Sequence, residues 1–188
     1  MSEFTDVHYL KAETAEAGRS LLRQIGREGY VFEPQNGWVA IVPIGAMPMV
    51  LQDDVVEATA STAPLLWFFL AEDFAWGFAV AKNGAVAFDY HFALDGDDEE
   101  PPAALSWVDL DKHLAPFGAR LDDAQKKEIF GEPGGQPDFP DCARAFARAL
   151  WLPHSSWTSE HHLGPDLDNP NTSPEDIAAI TVVKNETV

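Results

Sequence analysis

An Asn-Gly pair between two apolar arms, FAWGFAVAKNGAVAFDYHF over residues 74–92, constrains the fold more than any other stretch of the sequence. A two-residue loop of this kind needs positive φ at both positions, and its twist suits two adjacent antiparallel strands. It predicts strands at 75–82 and 85–92. In a regular ladder Ala81 then lies opposite Val86, Ala79 opposite Phe88, Gly77 opposite Tyr90 and Ala75 opposite Phe92, so small residues meet large ones on one face. The reverse face carries Trp76 and Phe78 beside Asp89 and His91. A carboxylate next to an imidazole, i and i+2 on one strand in an aromatic setting, can act as a base or supply half a metal site. These four residues form the candidate small-ligand site, although no nucleophile or third ligand accompanies them.

The flanking sequence places this hairpin in an α+β fold. Residues 13–27 read as an N-terminal helix with an apolar stripe of Leu21, Leu22 and Ile25, Thr14 as its cap and Gly29 as its stop. Residues 30–32 and 38–43, joined by Pro34-Gln35-Asn36-Gly37, read as a first hairpin. Residues 4–10 look merely extended, and 45–63 read as loop with a short strand or helical turn. The run 65–70 is continuously apolar, as in a strand buried on both faces. The expectation is therefore about five antiparallel strands, a meander with two hairpins. Ten of the 14 prolines follow residue 95, and strand-like alternation stops there. Helices are expected from Ser106, over 122–130 and up to Leu152, packed on one face of the sheet, with a last short helix after Ser173. Residues 1–152 make a single domain in this reading, and 153–188 a loop-rich C-terminal extension.

Composition narrows the function. The chain has 188 residues and a formal charge of −19, with 12 acids against 5 bases up to residue 94 and 19 against 7 beyond it. Such a field repels nucleic acid and anionic membranes and favours basic partners. No apolar run approaches the ~20 residues of a membrane helix. The N-terminus lacks the basic and apolar regions of a signal peptide, and the single Cys142 excludes internal disulfides. A cytoplasmic protein is expected.

Three further constellations carry possible chemistry. Arg19, Arg23 and Arg27 are spaced i, i+4, i+8 and form a candidate anion-binding or nucleic-acid stripe, a spacing repeated by Arg144 and Arg148. His154, His161, His162, Asp166 and Asp168 are metal-ligand types gathered in one segment, without the spacing of a helical zinc motif. The acidic run 95–100 lacks the spacing and glycine position of a calcium loop. No nucleophile elbow, phosphate loop, dinucleotide fingerprint or zinc-protease motif is present, and no cofactor is implied. The layout, a helix and an antiparallel meander followed by helices in a small acidic chain, resembles small bacterial accessory proteins such as toxin-immunity proteins and secretion-chaperone-like domains. The expected function is a non-enzymatic binding protein whose acidic surface engages a basic protein partner. The alternatives are a small-ligand binder or enzyme using Trp76, Phe78, Asp89 and His91, and nucleic-acid binding through the arginine stripe.

Overall fold

The structure is a computed structural model that describes residues 3–72, 74–94, 106–131, 138–156, 158–160, 163 and 180–184. It is α+β, as expected, but its antiparallel sheet has seven strands. In chain order these are β1 (Phe4–Lys11), β2 (Gly29–Phe32), β3 (Trp38–Pro43), β4 (Leu65–Ala71), β5 (Ala75–Lys82), β6 (Ala85–Ala93) and β7 (Ile180–Val183). Their order across the sheet is β6-β5-β4-β1-β3-β2-β7. The helices are α1 (Glu16–Gln24), α2 (Asp53–Ala58), α3 (Trp107–Leu114), α4 (Asp123–Phe130) and α5 (Asp141–Ala149), with a 3-10 turn at Ala115–Phe117.

The two strands beyond the expected five are β1 and β7. Residues 4–10 are the centre of the sheet, paired with β3 on one side and β4 on the other. β7 adds an edge against β2. The C-terminal helices α3–α5 pack on one face, as expected, and α1 and α2 cover the other. Val7, Tyr9, Trp38, Phe68, Trp76 and Phe78 pack on Leu110, Leu114, Phe130 and Phe146 of α3–α5. Leu10, Val39, Ile41, Leu65, Phe69 and Ala79 pack on Leu21, Leu22 and Val55 of α1 and α2. With a layer on each side, β3, β4 and nearly all of β5 are buried, which is why the 65–70 run carries no polar face.

Local signals explain the ends of the elements. α1 starts at Ala15 without a side-chain cap, so Thr14 does not cap it. Its stop is Gly26 (φ +66), not Gly29, which opens β2. Gly26 N–H donates to the Arg23 carbonyl and Arg27 N–H to the Leu22 carbonyl, a Schellman closure that needs the left-handed residue. α4 has a full capping box between Asp122 and Gln125, and Ser106 caps α3 by accepting from Asp109 N–H. Both Asn-Gly turns have positive φ at each position, Asn36-Gly37 and Asn83-Gly84.

The β5–β6 ladder departs from the regular register. Lys82 pairs with Ala85 and Ala81 with Val86, but Val80 pairs with Phe88, and a bulge at Val80/Ala81 leaves Ala87 as the extra residue. Trp76 therefore faces Phe92, Phe78 faces Tyr90, Gly77 faces His91 and Ala79 faces Asp89. A one-residue slip exchanges the faces of a strand. Here it turns Phe88, Tyr90 and Phe92 toward the α3–α5 core and Asp89 and His91 away from it. Each aromatic buried is worth ~1.5–3 kcal/mol, while an ionised carboxylate under Phe130 and Phe146 would lose its hydration with no partner in return.

Candidate ligand-binding site

The bulge dissolves the expected cluster. Trp76 and Phe78 are wholly buried among Tyr90, Phe130 and Phe146, with Phe78 stacked on Phe146 at 4.3 Å between ring centroids. Asp89 and His91 lie on the opposite face of the edge strand and are exposed. Trp76, Phe78, Asp89 and His91 thus do not share a surface. His91 meets Phe69 edge-on, with 5.1 Å between ring centroids. Phe69 reaches it by lying across Gly77, where a Cβ would stand 2.6 Å from the ring and 2.5 Å from the Tyr90 carbonyl. Partial shielding lowers the His91 pKa, against the opposing charge of Asp89.

The arginine stripe is broken and neutralised. Arg19 and Arg23 both hold Glu16, at 2.8 and 2.7 Å. Arg27 lies beyond the Gly26 turn and pairs with Asp54 of α2, so it is not on the α1 face at all. On α5, Arg144 bridges Glu3, Glu72 and Asp141, and Arg148 holds Glu128. A phosphate would have to displace a carboxylate at each of these positions. Of the histidine-rich segment, His154 stacks on Phe32 at 4.2 Å, while His161, His162, Asp166 and Asp168 lie outside the described residues, as do the acidic run 95–100 and Asp73. Among the described residues no group of three His, Cys, Asp or Glu side chains could hold a metal ion. Cys142 is buried, and burial pushes its thiol up to about 11, so it is no nucleophile at neutral pH.

The groups that do converge are Asp6 and His8 on β1. β3 ends at Pro43, where the chain turns away through Ile44 and Gly45, so the first half of β1 loses its neighbour on that side. Residues 158–160 run along the gap instead: Asp6 N–H donates to the Thr158 carbonyl at 2.8 Å, and Gly45 N–H donates to Glu160 Oε2 at 2.7 Å. The space left between is a cavity of about 430 Å³, lined by Phe4, Asp6, His8, Pro43, Pro48 and Glu160, together with Val42, Ala46 and Ser159. Its size falls in the range of small-ligand pockets.

Asp6 and His8 share a face because they alternate along the strand, and each is perturbed by burial in its own direction. Asp6 accepts from Trp67 Nε1 at 2.7 Å and from Met49 N–H at 2.9 Å. Desolvation raises its carboxyl to about 6, against the lowering effect of these two donors. His8 is 1% exposed, and neither ring nitrogen has a partner at good hydrogen-bond geometry among the described residues, the Ile41 carbonyl being only a weak acceptor for it. Desolvation lowers its pKa to about 4, helped by the charge of Arg27 and opposed by Asp54 and the Ile41 carbonyl, so it is neutral at pH 7. A buried, unpartnered imidazole costs stability, ~1–3 kcal/mol for each unsatisfied group.

Ser159, His8 and Asp6 are the residue types of a hydrolase relay, but no relay is built. Asp6 accepts from Trp67 and Met49 and not from the imidazole, and His8 has no base or nucleophile at hydrogen-bond distance. The arrangement can instead receive a ligand: two carboxylates with spare lone pairs and apolar walls, with the His8 ring in the wall and its nitrogens enclosed by protein. The stretch FTDVHYLK held a signal for it, since Asp6 and His8 repeat the Asp-x-His pattern of Asp89 and His91. What the local sequence could not carry is the cover, which comes from residues 44–49 and 158–160. No protein-family model matches the chain, and no curated protein or solved structure matches it either.

Proposed function

We propose that this chain is a non-enzymatic binding protein that holds a small ligand in the cavity beside β1. The observation that supports the reading is the cavity itself, which takes a carboxylate from Asp6 and another from Glu160 and has the buried His8 ring in its wall. Perturbed titratable groups in a concave site are the usual mark of a functional one. The test is a fragment screen followed through the ring signals of His8 in nuclear magnetic resonance. Fragments that move those signals, and lose the effect when Ala46→Leu fills the cavity, would support the reading. If no fragment moves them, the cavity is only a packing defect and the reading fails.

A second reading, that the acidic surface engages a basic protein partner, is favoured by how the cations are used. Arg19, Arg23, Arg27, Lys126, Arg144 and Arg148 all hold carboxylates of the same chain, so the outward field is dominated by the remaining acids of a −19 protein. A cytoplasmic setting, with its reduced thiols, suits the lone buried cysteine. Affinity capture at low and high salt tests this reading: a partner retained at 50 mM NaCl and released at 0.5 M supports it. Retention indifferent to salt, or none, removes it.

A further inference from the structure

We propose that the cavity beside β1 selects an organic cation, an ammonium or amidinium group carried on a short apolar body. The inference rests on the ligand-binding reading above and names the class of ligand. Among the described residues, every charged side chain lining the cavity is a carboxylate: Asp6 on β1 and Glu160 from the segment across the gap. No lysine or arginine among the described residues lines it. The nearest guanidinium in the electrostatics of His8 is Arg27, which is held by Asp54 and Gln52 on the α2 side. An anionic ligand would therefore meet two negative groups and no counter-charge.

Hydrogen-bond arithmetic points the same way. Each Asp6 oxygen accepts one bond, leaving a lone pair on each, and Glu160 uses one oxygen on Gly45 N–H. An ammonium has three donors and no acceptor, which matches a site of acceptors. The remaining walls, Phe4, Val42, Pro43, Ala46 and Pro48, are apolar and suit an alkyl or aryl body, with the Phe4 ring available to a cation.

The site also predicts proton linkage. Burial holds the Asp6 carboxyl near 6 when the cavity lacks a counter-charge. The charged groups facing it and His8 are Glu160, Arg27 and Asp54, and none of these supplies Asp6 with an ion pair. A bound cation would favour the carboxylate, so binding releases a proton where Asp6 is protonated in the free protein, and affinity drops as the pH falls through about 6.

Three probes of one shape separate the outcomes: n-butylammonium, n-butanol and n-butyrate, titrated into the full chain at 0.15 M NaCl while the His8 ring signals are followed. The expected result is saturable binding of n-butylammonium, at least tenfold weaker binding of n-butanol and none of n-butyrate. Asp6→Asn should weaken the ammonium tenfold or more and leave the alcohol unchanged. Ala46→Leu, on the covering loop, should weaken both and serves if Asp6→Asn does not fold. Alcohol or butyrate binding as tightly as the ammonium overturns the cation class while keeping a ligand cavity. Ammonium binding unaffected by both substitutions also overturns it, since attraction to the acidic surface would then be the cause. If none of the three moves the His8 signals, the ligand-binding reading falls with it.

Discussion

Asp6 and His8 are two residues apart on one strand, yet burial moves their stabilities in opposite directions with pH. Asp6 ionises at 3.8 in an unperturbed chain and at about 6 in the fold. Between those values the folded protein binds more protons, so stability falls as pH rises through the window, by about 3 kcal/mol. His8 has a folded pKa of about 4 against 6.5 unperturbed, so the unfolded chain binds more protons and stability rises with pH across that range, again by about 3 kcal/mol. The two slopes nearly cancel in the native protein. Relative to wild type, Asp6→Asn should make stability climb more steeply between pH 4 and 6, and His8→Phe should make it fall more steeply. Urea unfolding at pH 4, 5 and 6 measures both differences, and parallel profiles for either variant would mean its side chain is solvated. At pH 7 His8→Phe should also stabilise the protein by ~1–2 kcal/mol, because it removes two buried nitrogens that make no well-formed hydrogen bond and has cavity space beside it. A loss of stability there would mean that the imidazole is satisfied in the folded chain.

At the level of the elements, the β5–β6 hairpin shows where local chemistry suffices and where packing overrides it. Asn83-Gly84 fixes the turn, and the turn residues agree with the structure. Six residues of β5 beyond the bulge are then shifted by one place against β6, and nothing within the hairpin says so. The shift becomes intelligible only with Phe130 and Phe146 in place, since these rings form the surface against which Tyr90 must lie. The same limit hid the candidate site. Residues 4–10 look merely extended in the sequence, because Asp6 and His8 interrupt the apolar Val7 and Tyr9 with polar groups that suit solvent. The residues that bury these groups are some 40 and 150 positions away. The capped starts of α3 and α4 and the Asn-Gly turns were legible because they close within four or five residues, whereas both ends of α1 were misplaced. If the bulge serves only to turn the aromatics inward, then deleting Ala87 should be tolerated. The ladder becomes regular while Val80 still meets Phe88 and Phe78 still meets Tyr90. Stability within about 1 kcal/mol of wild type, with Tyr90 still buried, is the expected result. A loss of 3 kcal/mol or more would show that the local twist of the bulge is itself needed to seat α3 on β6.

Across the whole molecule, a few cations hold together elements of a strongly acidic chain. Arg144 joins α5 to Glu3 before β1 and to Glu72 after β4, Arg27 joins the α1–β2 turn to α2, and Lys126 joins α4 to Asp111 of α3. Salt acts on these contacts and on the net charge with opposite sign. The exposed pairs, such as Arg148 with Glu128, are worth ~0–1 kcal/mol each, and the short ones persist when screened. Mutual repulsion in a −19 chain is long-range, and it collapses as the Debye length shortens from ~30 Å at 10 mM to ~4–5 Å at 0.5 M salt. Repulsion should therefore win, and Tm should rise between 10 mM and 0.5 M NaCl. Each kcal/mol recovered is worth ~2–4 °C for a chain of this size. A Tm that falls over the same range would mean that the ion pairs outweigh the repulsion. Arg144→Met should then remove most of that fall, because it breaks the bridge among three carboxylates from three separate parts of the chain.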